Sequence, residues 1–393
     1  MKVELLAPAG NLSKLKRAFY FGADAVYLGG KNFSLRTSSD NFTHEELLEG
    51  IEYAHKLGKK VYVAVNIFAH NEAFADLPEY FKYLQEVNAD GAIIADAGVF
   101  AVAKEHAPNL ELHISTQANI TNKYNAEFWQ NAGATRVVLA RELSLKEIEE
   151  IHNHCPKLEI EAFVHGAMCI AYSGRCLLSN YLTGRDANGG SCAQSCRRSY
   201  TVTPQGEDAM PIEEDEKGTY IFNSKDLNMI EHLDAMEKVG VNSFKIEGRM
   251  KSEYYLSTVV NAYRRVLDGK LTPQEGAIEL QKAAHRDFTT AYTLGENDDT
   301  VNYNDTQKLG TRQFVANVLD YADGKAFIEM RNRFQKGDVL EILSPHDSFN
   351  KQFTIENIVD EKGNSLELVN KVQQKIYVDC PYTLHTGDIL RRV

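Results

Sequence analysis

At 393 residues and a formal net charge of −12, the chain is long enough for two domains and a large core, and its charged (25%) and apolar (43%) fractions are ordinary for a globular protein. The acidic balance argues against indiscriminate nucleic-acid binding but leaves room for a local basic footprint. MKVELLAPAG reads as a core strand, with no basic segment ahead of an apolar run and no stretch of about 18 apolar residues, so a cytoplasmic protein without signal peptide or membrane span is expected.

As far as about residue 270, short runs rich in Val, Ile and Ala alternate with amphipathic segments. Strands are expected at 3–7, 25–28, 60–65, 91–95, 111–115, 136–140, 159–164 and 243–247. Helices are expected at 12–21, 44–57, 74–88, 98–105, 123–131, 144–154, 227–239 and 252–267. Ser144 followed by Glu147 is a capping-box pattern, and Gly22, Gly58, Gly133 and Gly240 stand where a left-handed residue commonly ends a helix. Eight β-α units in tandem predict an α/β fold, a (β/α)8 TIM-like barrel over 1–295. An open doubly wound sheet is the alternative, without the strand-GxGxxG-helix unit that would favour it.

The regularity breaks after the seventh strand, where residues 165–223 form a cysteine-rich insertion. Cys169, Cys176, Cys192 and Cys196 lie there, four of the chain's six cysteines, separated by six, fifteen and three residues. From 162 to 206 there is one acid, Asp186, against Arg175, Arg185, Arg197 and Arg198. In the cytoplasm structural disulfides are rare, so the set reads as metal ligands or catalytic thiols. Structural zinc draws its ligands in closely spaced pairs, which only Cys192 and Cys196 satisfy. The wider spacing favours an iron–sulfur cluster, with zinc and redox or buried free cysteines as alternatives. Four thiolates would leave no iron open to substrate, so such a cluster would pass electrons or brace the insertion. Cys155 and Cys380 read as buried residues. A hairpin pairing 198–202 with 219–223 is expected, its acidic tip 207–217 a solvated loop.

A polar linker follows at 296–309. Beyond it, 310–393 carries short β-patterned runs at 313–319, 325–330, 339–342, 352–359, 365–368 and 376–378, separated by Gly-containing turns. They predict a small C-terminal all-β barrel of a kind often used to grip RNA or a partner.

Chemistry in such barrels gathers at the C-terminal strand ends. His165, Glu247 and Arg249 are the candidate catalytic groups there. Arg36, Asn66, Gln117, Asn119 and Arg141, with Arg175, Arg197 and Arg198 of the insertion, are the candidate substrate-binding groups. Arg36, Arg141 and Arg249 around one mouth suit a small dicarboxylate or a phosphate-bearing substrate; a ring of salt bridges through Glu142 and Glu247 is the alternative.

LLAPAGNLSKLKRAFYFGADAVYLGG, HISTQANITN, the block EAFVHGAMCIAYSGRCLLSNYLTGRDANGGSCAQSCR, NSKDL and FKIEGRMKS resemble the collagenase-like peptidase family of unassigned catalytic type over nearly the whole chain. The resemblance is strongest to bacterial members that hydroxylate the wobble uridine of tRNA to 5-hydroxyuridine with prephenate as co-substrate. It implies a 4Fe–4S cluster on Cys169, Cys176, Cys192 and Cys196, and the tRNA anticodon loop as partner. Some members work with a related partner chain, so such a chain or a homo-oligomer is a further expectation. A loop base is the cheapest to extract into the mouth, where Phe33, Tyr172 or Tyr181 would stack on it unless they pack the core. A peptidase with a Cys169–His165 dyad and a non-catalytic, zinc-stabilised RNA-binding protein are the competing readings.

Overall fold

Strands of a closed parallel sheet are buried on both faces, which is why Val, Ile and Ala crowd the short runs of this sequence. The computed structural model describes residues 3–31, 33–34, 41–168, 178–185, 193, 195, 214–215, 218–219, 224–295 and 309–393. Its first compact unit comprises residues 1–19, 23–250 and 286–308. In chain order the strands are β1 (Glu4–Pro8), β2 (Ala25–Leu28), β3 (Lys60–Val65), β4 (Gly91–Ile94), β5 (Glu111–Ile114), β6 (Arg136–Val138) and β7 (Glu159–Ala167). A short antiparallel pair follows, β8 (Glu214–Asp215) with β9 (Gly218–Thr219), then β10 (Asp226–Asn228), β11 (Ser243–Ile246) and β12 (Phe288–Thr289). Strands β1 to β7 pair in parallel in sequence order, and β11 pairs in parallel with both β7 and β1. The eight-stranded barrel is therefore closed, as the tandem β-α pattern predicts.

The helices between these strands are α1 (Leu12–Tyr20), α2 (His44–Lys56), α3 (Leu77–Glu86), α4 (Ala97–His106), α5 (Lys123–Ala132) and α6 (Leu145–His154). After β7 come α7 (Leu178–Thr183) and α8 (Leu233–Lys238). Ser144 opens α6 with the expected capping box: its hydroxyl accepts from Glu147 N at 3.4 Å while Glu147 Oε2 accepts from Ser144 N at 2.8 Å. Asp96, at the end of β4, caps α4 by accepting from Val99 N at 3.0 Å.

One local expectation changes. The helix expected at 227–239 begins only at Leu233, because the preceding residues form β10, which pairs antiparallel with the end of β7 and parallel with β12. Buried Asp226 fixes that strand by accepting from Arg286 N at 3.1 Å. Thr219 pairs with Glu214, and residues 198–202, expected to pair with 219–223, lie outside those described.

The second compact unit comprises residues 20–22, 251–285 and 309–393. It contains α9 (Glu253–Leu267), α10 (Pro273–Leu280), β13 (Gln313–Ala322), β14 (Lys325–Met330), β15 (Phe334–Gln335), β16 (Val339–Leu343), β17 (Gln352–Thr354), β18 (Ile358–Asp360), β19 (Leu368–Val369), β20 (Lys375–Asp379) and β21 (Ile389–Arg392). The expected small β-barrel is a seven-stranded antiparallel half-barrel, in the order β17-β16-β21-β13-β14-β20-β18, around one apolar cluster including Val315, Ile328, Leu340, Ile376 and Leu390. Its strand β21, which lies between β16 and β13, was not among the expected runs. Arg391 is fully buried, with Nη2 2.5 Å from Glu279 Oε1 and Nε 2.9 Å from Glu341 Oε1. Lys282 completes the network, donating to Glu341 Oε1 at 2.8 Å and Asn350 Oδ1 at 2.9 Å. Among the described residues no helix is long and apolar enough to cross a membrane.

Candidate active site

The barrel interior is charged as well as apolar. Leu6, Ala25, Tyr27, Tyr62 and Ile93 form its apolar cluster. At the N-terminal end, Arg136 Nη1 lies 2.7 Å from Glu4 Oε1 and 3.2 Å from Glu161 Oε2, and its Nε donates to Glu159 Oε2 at 2.8 Å. Tyr62 and Ser243 donate to the two oxygens of Glu4, each at 2.7 Å. Burial, with Glu4 beside it, pushes the Tyr62 phenol up, so it stays a donor.

One step further along the axis, Lys245 Nζ donates to the fully buried Glu161 at 2.5 Å. Burial alone would raise the Glu161 carboxyl, but Lys245 and Arg136 outweigh it and hold the group below the ordinary carboxylate range. The same ammonium sits 4.2 Å from the centroid of the Tyr27 ring. Tyr27 in turn places its hydroxyl 3.0 Å from Ile246 O and 3.2 Å from Glu247 Oε2. A continuous polar path thus runs from Arg136 through Glu161, Lys245 and Tyr27 to Glu247, just past the C-terminal end of β11. Tyr27, Glu161 and Lys245 were not among the sequence candidates. Their signal was Glu159 and Glu161 alternating in a strand expected to be apolar on both faces, and Lys245 inside KIEGR.

At the mouth, His165 faces Ile246 across a β-bulge in the β7–β11 register, and its carbonyl accepts from Glu247 N at 2.8 Å. His165 is 1% exposed, with Asn228 of β10 opposite it and the Phe288 ring 5.7 Å from its own. Gly166 has φ +105°, and a Cβ there would lie 2.4 Å from Glu247 O. The HG and KIEGR motifs are therefore pressed together backbone to backbone.

Arg249 is buried, its Nη1 donating to Ser34 Oγ at 2.8 Å and its Nη2 bonded to Asn41 Oδ1. A Cβ on Gly29 would fall 2.4 Å from that Nη2, so glycine makes room for the guanidinium after β2. Asn66 Nδ2 donates to Gln117 Oε1 at 2.9 Å, joining the ends of β3 and β5. Asn119 holds a left-handed turn (φ 62°), its carbonyl accepting from Asn125 Nδ2 at 3.2 Å. Arg141 lies over Phe163, with its guanidinium carbon 3.8 Å from the ring centroid. Arg36, Arg175, Arg197, Arg198 and the four clustered cysteines lie outside the described residues. The structure thus joins His165 to Glu247 and Asn66 to Gln117, and places Arg249 against Ser34 and Asn41.

The chain leaves β7 at Ala167, and Cys169 comes two residues later. Within the insertion, buried Ser179 donates to Arg185 O at 2.8 Å and accepts from Ala193 N at 2.9 Å. Ser179 follows Cys176 by three residues and Ala193 adjoins Cys192 in sequence, so this hydroxyl joins described residues that neighbour those cysteines in the chain. Four thiols are, by their chemistry, a donor set suited to an iron–sulfur cluster. Among the described residues, no group of three or more His, Cys, Asp or Glu could hold a metal ion.

Two family models match: peptidase family U32 over residues 10–303, and the peptidase family U32 C-terminal domain over 310–391. The chain is 42% identical to tRNA hydroxylation protein P1 of Bacillus subtilis (strain 168), covering 100% of this chain and 95% of that protein. It is 39% identical to tRNA hydroxylation protein P of Escherichia coli (strain K12), covering 98% and 95%. To the 23S rRNA 5-hydroxycytidine C2501 synthase of the same bacterium it is 30% identical, covering 98% of this chain and 58% of that one.

Proposed function

The chain belongs to peptidase family U32, and we propose that it is an RNA-modifying enzyme that hydroxylates the wobble uridine of tRNA to 5-hydroxyuridine. The observation that carries this reading is the end-to-end relationship with the tRNA hydroxylation proteins, through both family segments in order. The similarity to a 5-hydroxycytidine synthase supports the coarser chemistry, a hydroxyl installed at C5 of a pyrimidine in RNA.

In this reading the barrel mouth receives a uracil drawn out of the anticodon loop. Glu247, held by Tyr27 and the His165 backbone, is the group that exchanges a proton with the substrate. Arg249 orders the loop after β2, which carries Arg36. Prephenate is the co-substrate, its two carboxylates met by arginines of the rim, Arg36 and Arg141. Arg175, Arg197 and Arg198 contact the tRNA backbone. Cys169, Cys176, Cys192 and Cys196 hold a 4Fe–4S cluster, which supplies one-electron chemistry when bound.

The test is a deletion strain whose tRNA nucleosides are read by mass spectrometry. Loss of 5-hydroxyuridine derivatives, restored by this chain but not by Arg249→Ala, is the expected result. Unchanged nucleosides in a strain lacking every related chain would overturn the assignment. Anaerobically purified protein should carry iron and sulfide near four each per chain. A colourless protein with one zinc would remove the cluster from the reading.

A further inference from the structure

A helix on the outside of a barrel buries one stripe and presents charged or polar residues to water. Helix α5 departs from that pattern. Its buried residues are Ala126 and Trp129, and the Trp129 ring meets Phe100 of α4 edge-on with centroids 5.3 Å apart. On its outer side Tyr124 is 66% exposed and Phe128 60%. Among the described residues no other helix of this unit exposes an aromatic ring in this way. Paired, exposed aromatic side chains on one helix mark a surface that another molecule covers.

Helical spacing sorts this surface into two rows. Tyr124 and Phe128, one turn apart, form an aromatic row, and Lys123 and Glu127, also one turn apart, form a charged row about 100° round the helix. Glu127 lies 3.3 Å from His154 of α6, while Lys123 rests 5.6 Å from the centroid of the Tyr124 ring and enters no ion pair among the described residues. One base and one acid in the same row do not suit a polyanion. They suit a partner that carries the same two charges in the reverse order.

A second copy of the chain meets that requirement through a two-fold axis, because residue i then contacts residue j and j contacts i. Two antiparallel α5 helices related by an axis perpendicular to their common plane set each row against the same row running the other way. With the axis between Asn125 and Ala126, Tyr124 stands level with the copy's Phe128 to within about 1.5 Å along the helix, and Lys123 stands level with the copy's Glu127 to the same margin. We propose that this face of α5 is the interface of a homodimer, with Tyr124 and Phe128 as its aromatic centre and Lys123–Glu127 pairs along its edge. Aromatic anchors bordered by opposite charges are the composition of a specific protein contact. The inference is independent of the RNA reading above.

Sedimentation velocity of the full-length protein from about 1 to about 200 µM should show a monomer–dimer equilibrium, with a dissociation constant on the order of 10 µM for so small a contact. Tyr124→Ala/Phe128→Ala should remain monomeric throughout that range. Lys123→Glu sets a carboxylate opposite the copy's Glu127, and Glu127→Lys sets an ammonium opposite the copy's Lys123, so each single change should raise the constant about tenfold or more. The exchange Lys123→Glu/Glu127→Lys puts opposite charges back across the axis and should recover the wild-type constant. Melting temperatures check that each variant folds. A wild-type chain that stays monomeric overturns the proposal. A dimer that survives the aromatic double variant, or both single charge changes, places the interface elsewhere and overturns it too. Single changes that weaken the dimer without recovery in the exchange would overturn the antiparallel two-fold pairing.

Discussion

The Tyr27 hydroxyl lies 3.2 Å from Glu247 Oε2 while its ring rests 4.2 Å from Lys245 Nζ, so one side chain links the buried charges of the barrel to the carboxylate at its mouth. Tyr27→Phe keeps the ring over Lys245 and deletes the hydroxyl that meets both Glu247 Oε2 and the Ile246 carbonyl. A hydrogen bond to a charged group contributes about 1.5–3 kcal/mol, so tRNA hydroxylation should fall by about tenfold or more while the melting temperature moves little. Full activity in the variant would show that Glu247 is positioned by its backbone alone.

Lys245→Met tests the interior network. It leaves fully buried Glu161 with Arg136, 3.2 Å away, as its remaining cation. Removing one partner of a buried pair costs about 3–5 kcal/mol, read as a lower urea midpoint. A loss below about 1 kcal/mol would mean that Arg136 suffices.

Gly166→Ala should disturb the mouth from the backbone outward. At φ +105° a Cβ is strained, and it would stand 2.4 Å from Glu247 O. Stability should fall by about 2 kcal/mol or more, with hydroxylation lost even at temperatures where the variant is folded. Thermal melts and tRNA nucleoside analysis on the same preparation separate the two effects.

Ser179→Ala removes the hydroxyl that bonds Arg185 O and Ala193 N, beside Cys176 and Cys192 in sequence. If the four cysteines hold the proposed cluster, iron and sulfide per chain should drop by about half or more under identical anaerobic purification, because the hydroxyl's two hydrogen bonds beside Cys176 and Cys192 are lost together. Unchanged metal content would make Ser179 a local helix feature.

The half-barrel should show an acid transition set by Glu341. Burial would raise this carboxyl, but Arg391, Lys282 and Gln352 outweigh it and hold it down to about 2. A depressed folded pKa contributes stability that is complete above the unfolded value near 4.5 and disappears as pH falls toward about 2. The whole contribution is about 3 kcal/mol. Glu341→Gln should be less stable at pH 7 and should lose this acid dependence, which denaturant melts between pH 7 and 2.5 would record.

The sequence by itself determined the eight β-α units, their order and the capping box at Ser144, because helix and strand periodicity and caps are local properties. It also marked the cysteine cluster and the candidate rim residues His165, Glu247 and Arg249, since strand ends in such barrels are readable from strand positions. Only the tertiary structure decided that β11 closes on both β7 and β1, because pairing depends on register between residues far apart in the chain. It also decided which charges are buried. Arg136, Glu161, Lys245 and Arg391 look like surface residues in sequence. A charge enters a core only where partners from distant strands and helices converge on it, and that convergence is invisible until the strands are in register. The same holds at the mouth: HG and KIEGR are separate motifs in the chain, and the bulge between β7 and β11 makes them one site.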